Sequence, residues 1–145
     1  TEGGLDVAGQ VAWLTDYVSK LQAVGIKVSL FIDPEDKQIA AAVSCGADAI
    51  ELHTGAYAEA GLAGNIDKMN DELTRIKQAV QTAQHADPKL LVNAGHGLTR
   101  DNVHAIAQID GIYELNIGHA LIADAVFVGL EQAVIMMKSA MRQNA

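Results

Sequence analysis

A chain of 145 residues, half of them apolar, can bury the core of one domain, and its 18 acidic against 10 basic side chains (net charge -8) have the wrong sign for nucleic acid or anionic membrane partners. No apolar run approaches the ~20 residues that span a bilayer, and Thr1-Glu2-Gly3-Gly4 has no basic stretch ahead of an apolar one, so nothing points to export. The single cysteine, Cys45, has no partner for an intramolecular disulfide and reads as a buried thiol at a helix end, in keeping with a reducing cytoplasm.

Val7, Val11, Leu14, Val18, Leu21 and Val24 recur at three or four, which predicts a helix over residues 7–24 closed by Gly25. The period then changes. Residues 27–32 are short, β-branched and aromatic, a strand that ends at Asp33-Pro34, where aspartate can cap a helix whose first turn tolerates proline. That helix covers 35–44, with Ile39, Ala42 and Val43 inward, and Gly46 ends it before a strand over 48–52. His53-Thr54-Gly55 opens a longer connection through Gly61 and Gly64, after which Ile66, Met69, Leu73, Ile76 and Val80 mark a helix ending near His85. Beyond Pro88, a strand over 89–93 leads into the loop Ala94-Gly95-His96-Gly97-Leu98. Thr99, with Asn102 three residues on, starts a short helix through Ile106. The fourth strand is 111–117. Gly118-His119, a brief apolar turn over 120–125 and a final helix over 128–141 complete the chain, the helix carrying Leu130, Val134, Met137 and Met141 on one face.

The order is a helix followed by four strand-helix repeats, with no Asn-Gly or Asp-Gly hairpin signal between neighbouring strands, so the pairing is expected to be parallel and the class α/β. No linker or low-complexity stretch divides residues 1–145. Such a unit is either half of a (β/α)8 barrel, whose full form takes about 250 residues, or a small open doubly wound sheet; connectivity alone admits both.

Three places carry chemistry. His96 sits between two glycines at the C-terminal end of a strand, where parallel α/β folds place reacting groups; glycine lets backbone approach a ligand, and imidazole gives or takes a proton near neutrality. The alternative is a loop histidine among turn glycines. Gly118-His119 follows the last strand directly, where free backbone N–H groups and a helix dipole can hold a phosphate, and Gly97 is placed for the same job; alone, Gly-His at a helix start is also an ordinary turn. Glu51 interrupts an otherwise apolar strand, and an inward carboxylate costs several kcal/mol unless paired, so it is either a functional acid or one facing a polar interface or a lysine. His53 and Thr54 read as structural, His85 as a cation on a helix dipole, His104 as an exposed helix residue and Met136-Met137 as core filler. No histidine pair has a metal-ligand spacing, and neither a Walker-type lysine loop nor a Gly-x-Ser-x-Gly elbow occurs.

Taken together, Thr1-Glu2-Gly3-Gly4-Leu5-Asp6-Val7, Val28-Ser29-Leu30-Phe31-Ile32-Asp33, Ile50-Glu51-Leu52-His53-Thr54-Gly55, Val92-Asn93-Ala94-Gly95-His96-Gly97-Leu98 and Glu114-Leu115-Asn116-Ile117-Gly118-His119-Ala120 resemble, in order, successive blocks of the pyridoxine 5′-phosphate synthase family. The resemblance implies the C-terminal half of a (β/α)8 TIM barrel. It also implies a transferase that condenses 1-deoxy-D-xylulose 5-phosphate with 3-amino-2-oxopropyl phosphate, giving pyridoxine 5′-phosphate, inorganic phosphate and water, with no cofactor or metal. On the matching positions it makes His96 the proton donor, Glu51 a stabiliser of the transition state, and Gly97, Gly118 and His119 contacts to the amino-oxopropyl phosphate and the phosphate site. The family also carries a substrate-contacting threonine at or next to Thr1. Its first four strands, with an Asn-x-Asp-His motif, substrate-binding arginines and two general bases, have no counterpart in these residues. The expectation is an inactive fragment that accompanies a missing N-terminal half or forms a homo-oligomer to cover its sheet edges. Two other readings compete: a non-catalytic phosphosugar-binding half-barrel, and another phosphate-handling barrel enzyme lacking the Ala-Gly-His-Gly loop.

Overall fold

The computed structural model describes residues 3–142. Helix α1 (Val11–Ala23) precedes strand β1 (Ser29–Ile32), and α2 (Asp36–Ser44) leads to β2 (Ala49–His53). Two helices follow, α3 (Gly55–Leu62) and the long α4 (Ile66–Ala86), then β3 (Leu91–Gly95), α5 (Val103–Ala107), β4 (Glu114–Asn116), α6 (His119–Val128) and α7 (Leu130–Arg142).

The four strands pair in parallel in the order β1-β2-β3-β4. That order separates the two architectures left open by connectivity. A right-handed crossover between neighbouring parallel strands puts its helix on a fixed side, so a sheet that grows in one direction carries all its helices on one face, whereas a doubly wound sheet must reverse. Here no reversal occurs. The architecture is half of a (β/α)8 barrel, and the sheet is not closed.

Alternation along each strand divides the sheet into a dry face and a polar one. In register, Leu30, Ile50 and Val92 form one row, and Ile32, Leu52, Ala94 and Leu115 another. All but the partly buried Leu115 are buried, packed with Ile39 of α2, Ile76 and Val80 of α4, Ile106 of α5 and Met137 of α7 in one apolar cluster. The opposite face presents Phe31, Glu51, Asn93 and Glu114 across the sheet, and beyond them His53, Gly95 and Asn116.

Three differences from the sequence reading have identifiable causes. Helix α1 begins at Val11 rather than residue 7, because the buried amide of Gln38 on α2 accepts the N–H groups of Val7 (2.8 Å) and Ala8 (3.0 Å) and donates to Asp6 Oδ1 (2.9 Å), tying this segment down in a non-helical turn. The segment also pairs once with the sheet edge, where Leu5 N–H donates to Phe31 O (2.7 Å). Second, the connection after β2 contains helix α3. Gly55, Gly61 and Gly64 suggested a loop, yet Tyr57 is fully buried there and its hydroxyl donates to Asn102 O (2.8 Å), a tertiary anchor that outweighs weak propensity. Third, residues 119–128 form helix α6, not a turn; no residue of it is buried, so the amphipathic period that betrays a helix is missing, and Gly129 (φ +82°) breaks it from α7. Cys45 is a buried thiol at the C-terminal cap of α2, as expected.

Polar fasteners tie the loops at the other end of the sheet. Asp48 accepts the Val28 N–H (2.8 Å) and the Gln22 side-chain amide (3.0 Å), and these bonds, Gln22 first, hold its carboxyl below the ordinary aspartate range. Asp6 is lowered likewise by Gln38 and by the Gly9 N–H. Because both are lowered in the fold, the unfolded chain takes up more protons as pH falls: the stabilisation is complete above the unfolded range near ~4 and is lost as pH drops through the folded-state values. Urea midpoints are therefore expected to hold from about pH 7 to about 5 and to fall below about 4, with a shallower acid limb in Asp48→Asn. Identical acid limbs for the two proteins would show that Asp48 is not involved in this linkage.

Candidate active site

Parallel strands that all run one way bring their C-terminal ends to one rim, which gathers the residues after β1, β2, β3 and β4. His96, Gly97, Glu51, Gly118 and His119, separated in the chain by up to 68 positions, all line a single cavity of about 660 Å³ at this rim, together with Phe31 and Asn116.

Glu51 points from the middle of β2 onto the polar face. Among the described residues it has no lysine partner; instead Asn116 Nδ2 donates to its Oε2 at 2.8 Å, reaching from β4 across the intervening β3. That span is possible because β3 has no side chain at the crossing point. A Cβ on Gly95 would lie 2.1 Å from Glu51 Oε1, so glycine is required for the carboxylate to rest over the β3 backbone. Asn93, one layer deeper, is buried with its Oδ1 lacking a hydrogen-bond partner among the described residues.

His96 occupies the turn just beyond β3 with φ +80°, the single non-glycine residue with positive φ among those described, and Gly97 follows at +75°. Such a conformation persists only where the surroundings fix it. Here the Thr54 hydroxyl, fully buried, lies 2.7 Å from Gly95 O and 2.6 Å from His96 O, and Thr54 N–H donates to Gly95 O (2.8 Å). On the far side, Asn102 Oδ1 accepts the Thr99 N–H (2.8 Å), Asn102 Nδ2 donates to Gly97 O (3.2 Å), and Leu98 is buried as an anchor. Thr54, read from the sequence as structural, holds this turn, and beside it the His53 ring lies 4.8 Å from that of His96, edge to face, with its Nδ1 3.0 Å from Asp33 Oδ1.

Gly118, the N-cap of α6, and His119 in its first turn, both exposed, also line the cavity. An α-helix of ten residues directs unpaired N–H groups and the positive end of its dipole to this point. Arg100, at the end of the His96 loop, pairs with Asp124 of α6 (Nε to Oδ2, 2.8 Å), fixing the two cavity walls to each other.

Phe31, Asp33 and Asn116 lie within the family blocks but not among the site residues read from the sequence; register and strand-end position bring them to the rim. His104 also departs from expectation: it is half-buried, with Nδ1 3.3 Å from Met141 O at the end of α7, rather than fully exposed. His85 lies near the end of α4 with Nδ1 3.0 Å from Gln81 O. Among the described residues no cluster of three histidine, cysteine, aspartate or glutamate side chains could hold a metal ion, and no helix is long and apolar enough to cross a membrane. Thr1 lies outside the described residues.

The family model described as pyridoxal phosphate biosynthesis protein PdxJ matches residues 1–143. The pyridoxine 5′-phosphate synthase of Alcanivorax borkumensis is 54% identical over 139 residues, 96% of this chain and 55% of that protein. The synthase of a Synechococcus species is 55% identical over 97% of this chain and 57% of its own length, and that of a Sulfurihydrogenibium species 54% identical over 95% and 54%. The chain thus spans about 55% of the length of the curated relatives it matches. With a match along nearly every residue that builds the half-barrel and its rim, this chain belongs to the PdxJ family, whose relatives named above are pyridoxine 5′-phosphate synthases.

Proposed function

We propose that these residues build the proton-donating, phosphate-binding side of a pyridoxine 5′-phosphate synthase site. There 1-deoxy-D-xylulose 5-phosphate and 3-amino-2-oxopropyl phosphate condense to pyridoxine 5′-phosphate, inorganic phosphate and water. The observation that carries the reading is the convergence of His96, Gly97, Glu51, Gly118 and His119 on one cavity of about 660 Å³, within the usual size of a small-ligand site.

Each group has work suited to its surroundings. Joining an amine to a carbonyl and expelling water requires a proton delivered to the departing oxygen, and His96, exposed at the cavity and held by its strained turn, is the donor. Positive charge develops on the nitrogen as the carbon–nitrogen double bond forms. Glu51, fixed by Asn116 and with no cationic side chain paired to it among the described residues, stabilises that charge. The N-terminus of α6, with Gly118, His119 and the backbone at Gly97, takes a phosphate, which supplies local attraction despite the chain's net charge of -8.

A second reading, a phosphosugar-binding half-barrel without catalysis, is favoured by the same α6 terminus, which needs no proton transfer to bind phosphate. Residues 1–145 alone are proposed to bind phosphate without turnover, since the family's general bases match no residue here. The exposed apolar side chains of α6 and α7, Ile122, Val126, Phe127, Leu130 and Ile135, support covering of this surface in the working protein by further chain or by a second copy.

Two measurements test these statements. Inorganic phosphate added to the 15N-labelled chain is expected to shift the amides of Gly97, Gly118 and His119, and shifts confined to other regions of the chain would remove the phosphate site from this rim. Product assayed with both substrates is expected from the protein expressed from its complete reading frame and not from residues 1–145 alone. In the former, His96→Asn should lower kcat by about 10²- to 10⁴-fold with phosphate binding unchanged. Phosphate binding with no product from the complete protein would replace the synthase reading with the binding module.

A further inference from the structure

Three successive strand ends deliver a row of side chains that the proposed chemistry does not use in full. Asp33 follows β1, His53 ends β2 and His96 follows β3. Asp33 Oδ1 lies 3.0 Å from His53 Nδ1 and also accepts the Gly4 N–H at 3.3 Å, so the carboxylate is itself anchored. The His53 side chain is 12% exposed, its Nε2 is buried with no hydrogen-bond partner among the described residues, and its ring meets His96 edge to face at 4.8 Å. Phe31 packs on both imidazoles, with centroids 5.1 Å from His53 and 6.3 Å from His96.

We infer that Asp33 and His53 are a positioning pair for His96: the carboxylate fixes His53 as its Nδ1–H tautomer, and the ring so fixed holds the His96 imidazole over the cavity. The inference rests on the synthase reading of this site. The tautomer follows from the contacts. A carboxylate accepts only, so Nδ1 must carry a proton, and in the neutral ring Nε2 is then the bare lone pair. The opposite tautomer would set two acceptors against each other at 3.0 Å and bury an unpaired N–H as well. Orientation then passes through packing. Thr54 clamps the backbone of His96, and the rings of His53 and Phe31 lie beside its imidazole on the side of the sheet. Gly55 leaves the space for this arrangement, since a Cβ there would lie 2.6 Å from His53 Nε2 and 3.1 Å from His96 Cδ2.

The first arm of the test is independent of turnover. Two-bond 1H–15N correlation spectra of the labelled chain, recorded at alkaline pH until the His53 signals no longer change, are expected to show His53 protonated on Nδ1 and bare on Nε2. Asp33→Asn is expected to mix or reverse that pattern and to weaken the His53–His96 ring contacts, while the phosphate-induced shift at Gly118 stays. The second arm uses the protein from its complete reading frame. Asp33→Asn should lower kcat by about 10- to 100-fold with KM changed less than about twofold, the pattern of a misplaced donor rather than lost binding, and Asp33→Glu should recover some of the loss. A parent His53 protonated on Nε2, or an Asp33→Asn enzyme with kcat within about twofold of the parent, overturns the pair while leaving the synthase reading in place. If the unsubstituted protein makes no product, the synthase reading fails and the pair's role in it fails too, whatever the tautomer.

Discussion

Side chains alternate along a strand, and in this protein that alternation separates two chemistries within a backbone's thickness. Ile50 and Leu52 of β2 enter a dry cluster shared with α2 and α4, while Glu51 between them and His53 beyond face the other way. A one-residue slip of β2 would put a carboxylate into that cluster and expose two large aliphatic side chains, so burial of one face enforces the register of the other. The polar row is therefore positioned by apolar packing that never touches it. Buried leucine and isoleucine side chains of about 2 kcal/mol each outweigh the cost of lining up Glu51, Asn93 and Glu114 on neighbouring strands.

Within that frame the site depends on what is absent from β3. Gly95 contributes no side chain to the polar face, and the vacated space is where Glu51 of β2 meets Asn116 of β4. Gly55 leaves comparable room beside the two imidazoles, a layer further out. Close approach, not turn geometry, explains glycine at both positions. At His96 and Gly97 the reason is different, because there the backbone itself is left-handed and Thr54, Asn102 and Leu98 restrain it from three directions.

The rim joins two kinds of electrostatic device. Toward β2 and β3 it offers charged or titratable side chains, Glu51 and His96, with the Asp33–His53 contact behind them. Toward α6 it offers fixed dipoles, the N–H groups of a helix start beside Gly118 and His119. The Arg100–Asp124 ion pair spans the wall between them, so its guanidinium ties α6 to the His96 loop. The α6 helix start and the imidazole at the end of β3 thus line one cavity.

The sequence alone determined the parallel α/β class, the four strands within two or three residues, and the rim positions of His96, Gly97, Gly118 and His119, because hydrophobic period and glycine-flanked strand ends are local properties. The family blocks were legible for the same reason. Tertiary structure decided what depends on register: that Glu51 finds Asn116 across Gly95, and that Phe31, Asp33 and His53 join His96 although they sit on different strands. It also decided α3 and α6. The first is held by the burial of Tyr57 against glycine-rich composition, and the second has no buried face to leave a periodic trace. Half-barrel and doubly wound sheet share their periodicity and connectivity and differ in the side on which each crossover returns, so apart from the family blocks only strand order in space tells them apart.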